Sequence, residues 1–354
     1  MEDIKLQRLK EVLSVPTHSR QEDLMIEYLE RVLLEKGYDY KKDFMNNIYV
    51  TKGQSENFPC FVAHTDTVHS VNLNLKVVQL EENNQTILTG IDSKTLRPSG
   101  IGGDDKCGVF LCLEMLDKLD NVKVALFVSE EIGCVGSRQA DPEFFKNVGY
   151  AIQYDSPKGD SMSMSLMGKD LFGKSTDFGE KVSPLILEHG ITDWARHPYT
   201  DIWPLMEKFG FSCLNLAAGY HRYHTDNEYV VVEEVQNAFE LGLKLHEILG
   251  ENFYDRPQEK ERKLSSIFGG YGSNQILTED DDEDDDLYYD EDDDLYYDED
   301  DDLLSDEDDK KDIIDVSNDY RVGEFEDYWD YEDFNGGYSI RKYGDDGYDV
   351  DFDW

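Results

Sequence analysis

The chain has 354 residues and carries 34 Lys and Arg against 79 Asp and Glu, a formal charge of −45. So large an acidic excess excludes phosphate-backbone binding to nucleic acid, which needs a basic surface. It also excludes docking on anionic membranes. The charge is uneven: Ser266 to Trp354 holds 36 acidic and 5 basic residues, so a mildly acidic front part precedes a polyanionic tail.

The N-terminus, MEDIKLQRLKEV, is charged and has no apolar signal-peptide block. No aliphatic stretch approaches the ~20 residues of a spanning helix. Five cysteines, at 60, 107, 112, 134 and 213, form no CxxC pair, and the expected setting is reduced and cytoplasmic. Residues 4–14 predict a short amphipathic helix. A second is predicted over 20–36, behind a capping box at Ser19-Arg-Gln-Glu22 and stopped by Gly37. Strands are predicted at 47–51, 58–63, 74–80 and 85–91. A helix over 105–119 precedes a continuous apolar run, Val122 to Val128, of the kind that forms a strand buried on both faces. Another strand follows at 149–154, then helices at 178–189 and 202–209, a strand at 211–216 and a long helix at 232–249. Strands alternating with helices predict an α/β three-layer sandwich, with a central mixed, mostly parallel sheet flanked by helices. Beyond it, 285–292, 293–300 and 301–308 read DDLYYDED, DDLYYDED and DDLLSDED, an acidic repeat too poor in apolar surface to fold.

Acids and imidazoles recur where the chain leaves predicted strands. His64-Thr-Asp66 ends one strand, and Gly102-Gly-Asp104-Asp105-Lys106 opens the helix at 105. Glu130-Glu131 follows the 122–128 run, Asp155 ends the next strand, and His224 lies in a loop after the 211–216 strand. Open α/β sheets bind ligands beyond the carboxyl ends of their strands. Each group alone also fits an ordinary turn or cap. Together they suit a divalent ion, zinc first, with cobalt or manganese as alternatives. Carboxylates packed together without a cation would repel one another. Two ions roughly 3.5–4 Å apart remove that cost and activate water.

These motifs, with Val15-Pro-Thr-His-Ser19 and His224-Thr-Asp-Asn-Glu228, resemble the co-catalytic di-zinc exopeptidase superfamily of tripeptidases, aminopeptidases and glutamate carboxypeptidases. The resemblance spans about residues 5–250. It implies that His64 and Asp155 bind one metal, Glu131 and His224 the other, and that Asp104 bridges both. It also implies that Asp66 fixes the His64 ring and that Glu130 is the general base toward a metal-bridging hydroxide. The peptide bond after Asp104 is often cis in such proteins. His221 competes with His224 as a ligand, but the HTDNE spacing favours His224.

Two departures follow. Asp155 and His224 are only 69 residues apart, too close to hold an inserted lid of about 100 residues. The chain therefore looks like the lidless, aminopeptidase-type branch, and a lid histidine is missing. Substrate contacts fall instead to Tyr199, Asp201, Tyr220, His221 or Tyr223. The second departure is the tail. The expected organisation is a catalytic domain over 1–252, a linker over 253–278, the acidic repeat over 279–319 and an acidic aromatic segment over 320–354. The expected activity is a metal-dependent exopeptidase acting on a short peptide. The alternatives are an N-acyl amino acid amidohydrolase, or an inactive peptidase fold whose acidic tail recruits a basic protein partner. Cys107, Cys112, Trp194 and Trp203 read as packing residues.

Overall fold

The computed structural model describes residues 4–166, 169–170, 173, 176–196 and 200–257, with the backbone of 333–334 and 337–338. The chain divides into two units, Met1–Gly270 and Tyr271–Trp354. The first opens with α1 (Leu6–Leu13) and α2 (Asp23–Lys36). Gly37 ends α2 with a left-handed φ of 74°, as expected. The capping box does not form. The Ser19 hydroxyl donates to Asp66 Oδ2 at 2.7 Å, and the Glu22 carboxylate accepts from the N–H and hydroxyl of Ser129 at 3.1 and 3.0 Å. A spacing that signals a helix start serves here to anchor two distant loops.

The chain continues through β1 (Tyr40–Lys42), β2 (Ile48–Lys52), β3 (Phe58–His64), β4 (Leu75–Glu82) and β5 (Gln85–Asp92). It returns as α3 (Gly103–Lys118), β6 (Val122–Phe127), α4 (Val135–Arg138), α5 (Pro142–Phe145) and β7 (Val148–Ser156). Next come β8 (Ser161–Leu166), β9 (Lys169–Asp170), α6 (Asp177–Glu188), β10 (Asp193–Arg196), α7 (Ile202–Phe209) and β11 (Ser212–Ala217). The unit closes with β12 (Tyr220–His221), β13 (Tyr229–Val231) and α8 (Val232–Leu249).

Nine strands form one mixed sheet in the order β1-β2-β6-β3-β7-β11-β8-β10, with β9 beside β8. Its centre, β6-β3-β7-β11, is parallel, and antiparallel pairs flank it at β2-β6 and β11-β8. Alternate residues of each strand enter different cores. Phe61, Ala63, Val124, Leu126, Ile152 and Leu214 pack with α1, α2, α3, α6 and α8 on one face. Cys60, Val62, Ala125, Phe127, Ala151 and Cys213 pack with α5 and α7 on the other. The three layers follow from that alternation. A smaller sheet, β12-β13-β5-β4, lies off the main one.

The described residues between Asp155 and His224 extend the main sheet and build no separate domain. β8 is not an apolar run, because Ser alternates with Met. Ser161, Met162 and Ser163 are nevertheless all buried, and Ser163 Oγ accepts from Asn215 Nδ2 at 3.0 Å. The unit also runs past residue 252. Tyr254 is buried against Tyr150 and Phe178, and backbone bonds tie Tyr254 to Gly149 and Ser212, and Arg256 to Gly210. The start of the expected linker is therefore part of the packed unit. The rest of that linker, the acidic repeat, and the acidic aromatic segment apart from 333–334 and 337–338 lie outside the described residues. In the second unit, β14 (Asp333–Phe334) pairs antiparallel with β15 (Gly337–Tyr338). Among the described residues no helix is long and apolar enough to cross a membrane.

One ionic cluster joins α1, α2 and α3. Asp117 meets Lys5, Arg8 and Lys36 at 2.7, 3.0 and 3.1 Å and accepts from the Tyr38 hydroxyl at 3.0 Å. Burial acts to raise the Asp117 carboxyl, but Lys5, Arg8 and Lys36 hold it well below the usual range. A depressed carboxylate stabilises the fold above its unfolded pKa, and that contribution is lost as pH falls through the folded value. Asp117→Asn is expected to cost about 1 kcal/mol at pH 7, because the lysines are half exposed. The deficit should shrink only below about pH 4. Urea unfolding at pH 7, 4 and 3 checks it; a deficit constant across all three sets the ionic account aside.

Candidate metal centre

The parallel strands β3, β6, β7 and β11 end at one edge of the sheet, and the acids and imidazoles gather there. His64 is the last residue of β3, and its N–H donates to Asp105 Oδ2 at 3.1 Å. The entry to α3 is not helical at Asp104 and Asp105, and the peptide bond between them is cis. Asp105 Oδ1 accepts from the Gly108 N–H at 3.0 Å, so Asp105 caps the regular part of the helix and leaves Asp104 free to face the sheet edge. Glu130 follows β6 after Ser129, whose φ is 57°. Asp155 is held in β7 by Asn215, which accepts its N–H at 2.9 Å, and by Gln153 Nε2, which donates to Asp155 Oδ2 at 2.9 Å.

Two groups of potential ligand atoms result, His64–Asp104–Asp155 and Asp104–Glu131–His224, each within 4.8 Å of one another. His64 Nε2 lies 3.1 Å from Asp104 Oδ1 and 3.5 Å from Asp155 Oδ1. His224 Nε2 lies 3.4 Å from Asp104 Oδ2 and 3.1 Å from Glu131 Oε2. Asp104 thus offers one oxygen to each group. Glu130 Oε2 stands 3.9 Å from His64 Nε2. Asp66 sits behind this front. Its Oδ1 accepts from the Glu130 N–H at 2.9 Å and lies 3.3 Å from His64 Nδ1, and its Oδ2 accepts from the Glu131 N–H at 3.2 Å.

The electrostatics are those of an unbalanced anionic pocket. Burial, and then the charges of Asp155, Asp201 and Glu131, push the Glu130 carboxyl well above its usual range. Burial and the Asp104 charge do the same to Asp155. Burial works against a charged His64, yet Asp104, Asp155 and Asp66 hold its pKa well above the usual value. Contacts with Asp104 and Glu131 raise His224 to about 10. Glu131 Oε1 is buried without a hydrogen-bond partner. Two imidazoles and three carboxylates, one of them with an unpartnered oxygen, are donors of the kind that hold divalent metal, so the residues fit such a group.

The expected substrate residues fare unevenly. Tyr199 lies outside the described residues. Asp201 is fully buried, with both oxygens unpartnered, and burial pushes its carboxyl up to about 7. It has no surface to offer a substrate, which corrects that expectation. Tyr220 is 1% exposed, with its hydroxyl 3.5 Å from Asp155 Oδ1. His221 turns away: its Nε2 lies 2.6 Å from Glu234 Oε2 and its ring stacks on Tyr229. His221 belongs to neither group of potential ligand atoms. Tyr223, 42% exposed, sets its ring edge-on to the His224 imidazole and is the open member of the set. Cys107, Cys112 and Trp203 are buried in the two cores. Sequence reasoning passed over Ser19, Glu22, Gln153, Asn215 and Cys134, whose thiol donates to Glu130 Oε1 at 3.4 Å. Ser19, Glu22 and Asn215 reach partners far away in sequence, whereas Gln153 and Cys134 act on residues two and four positions away, and only the Ser19–Glu22 spacing left a signal.

No family model and no curated protein matches the chain. Solved structures do. The aminopeptidase PepT of Bacillus cereus ATCC 10987 superposes with a TM-score of 0.52 at 15% identity, covering 68% of this chain and 96% of that one. A tripeptidase of Staphylococcus aureus subsp. aureus Mu50 gives 0.51 at 14% identity over 68% and 96%. The TET aminopeptidase of the marine sediment archaeon Thaumarchaeota archaeon SCGC AB-539-E09 gives 0.50 at 12% identity over 70% and 96%. The chain shares the fold of these peptidase structures. In this chain it carries no inserted lid among the described residues.

Proposed function

We propose that this chain is a metal-dependent exopeptidase of aminopeptidase or di/tripeptidase type, acting on short peptides. One observation carries the reading: two ligand groups share Asp104, and Glu130 stands beside them. His64 and Asp155 would hold one divalent ion, Glu131 and His224 the other, and Asp104 both. Zinc suits this mixture best, with cobalt and manganese as alternatives. When bound, such a pair polarises the scissile carbonyl and lowers the pKa of water.

The protein's own residues supply the rest. Glu130 accepts the proton of the attacking water and passes it to the leaving amine. Asp66 holds the His64 ring and the Glu130 and Glu131 backbone in place. The exposed Tyr223 ring beside His224 is the surface a substrate side chain meets first.

Purified protein is expected to hold two zinc-type ions per chain and to release single residues from short peptides. A chelator should stop turnover, and zinc, cobalt or manganese should restore it. Peptides blocked at either end decide which terminus is read, and N-acyl amino acids test the amidohydrolase alternative. Silence on the whole panel with all three metals would leave only a binding protein.

A further inference from the structure

Glu228 closes the HTDNE motif and belongs to neither ligand group. It is fully buried, and each of its oxygens has backbone or ring partners. Oε2 accepts from the Gly102 N–H at 2.7 Å and lies 2.7 Å from His69 Nε2. Oε1 accepts from the Asp104 N–H at 3.1 Å. Three segments therefore meet on one carboxylate: the loop after β3, through His69; the entry to α3, through Gly102 and Asp104; and the loop of His224, which Glu228 itself ends. The fit is close. A Cβ on Gly103 would stand 3.3 Å from Glu228 Oε1 and 2.7 Å from Tyr220 Cβ. On the other side of the same entry, Lys106 Nζ donates to the carbonyls of Ile101 and Leu13 at 2.9 and 3.1 Å.

The two ligand groups differ in what else supports them. His64 and Asp155 sit at the ends of central strands, with Asp105, Asn215 and Gln153 bonded to them. His224 sits in an exposed loop over 222–227, with a left-handed φ of 62°. We propose that Glu228 is a positioning residue that sets the Asp104–Glu131–His224 group before an ion arrives, and that this group depends on it more than His64–Asp104–Asp155 does. The inference rests on the two-ion reading given above and deepens it. It concerns ion binding, so its test does not depend on turnover.

Zinc titration calorimetry on metal-free protein provides that test. Glu228→Gln keeps the volume but turns an amide N–H toward one of three donors. It is expected to weaken one of the two ions about 10–100-fold, the usual effect of losing a residue that orients ligands. The other ion should change only a few-fold. His224→Ala removes the affected group, so adding Glu228→Gln to it should cost little more; added to His64→Ala, it should cost its full amount. His69→Ala removes one anchor and should weaken the same ion by less, which keeps the proposal testable if the glutamine variant does not fold. Equal weakening of both ions, or unchanged affinity in the folded variants, overturns the role of Glu228. A parent that binds fewer than two ions fails earlier, taking the two-ion reading with it.

Discussion

Asp104→Ala is expected to remove both ions and all measurable turnover, the largest loss available from one side chain. Each other potential ligand belongs to one group, whereas Asp104 places Oδ1 3.1 Å from His64 and Oδ2 3.4 Å from His224. Burial acts to raise its carboxyl, but contacts with His224 and His64 hold it far below the usual carboxylate range. It therefore stays ionised, as a ligand between two cations must. Losing several kcal/mol of transition-state stabilisation corresponds to a fall on the order of 10⁴-fold in kcat/KM. A second readout is independent of activity. A ligand at a hundred times its Kd stabilises the native state by about 2.7 kcal/mol. Zinc should therefore raise the Tm of the parent and leave that of a folded Asp104→Ala unmoved. A variant that still gains stability from zinc would show that the two groups do not share this residue.

The parts of the fold legible in sequence were those where one physical signal dominates. The apolar run Val122 to Val128 reads as a buried strand because both faces of β6 are covered, and Val232–Leu249 reads as a helix because its buried positions recur on one side. β8 and β10 were not legible. In β8 the buried Ser163 is satisfied by Asn215 of a neighbouring strand, and no local pattern reports such a partner. The same division runs through the site. The ligand-type residues stood out because acids and imidazoles at strand ends are chemically costly unless something holds them together. The roles of Ser19 and Glu228 did not, since each bonds to groups 47 or more residues away that no local pattern brings together. Asp201 misled for the opposite reason. A loop aspartate just before a helix reads as accessible, yet Asp201, the residue that opens α7, is fully buried.

Glu130→Gln is expected to separate chemistry from binding. The change keeps the shape of the side chain and removes its capacity to accept a proton. The Glu130 N–H would still donate to Asp66 Oδ1, and His64, Asp104, Asp155, Glu131 and His224 would be untouched. Metal content should stay near two per chain, and KM should move little. Removing a positioned acid–base group typically costs 10²–10⁴-fold, and kcat should fall by roughly that amount. The comparison with Asp104→Ala matters here, because both variants are expected to lose turnover for different reasons: one should fail to hold ions, the other should hold them and fail to move the proton. An inactive fold with an interaction tail would show neither contrast, having no turnover to lose. Steady-state kinetics beside metal analysis on the same preparations decides it. If Glu130→Gln retains the parent's kcat, the proton is handled elsewhere.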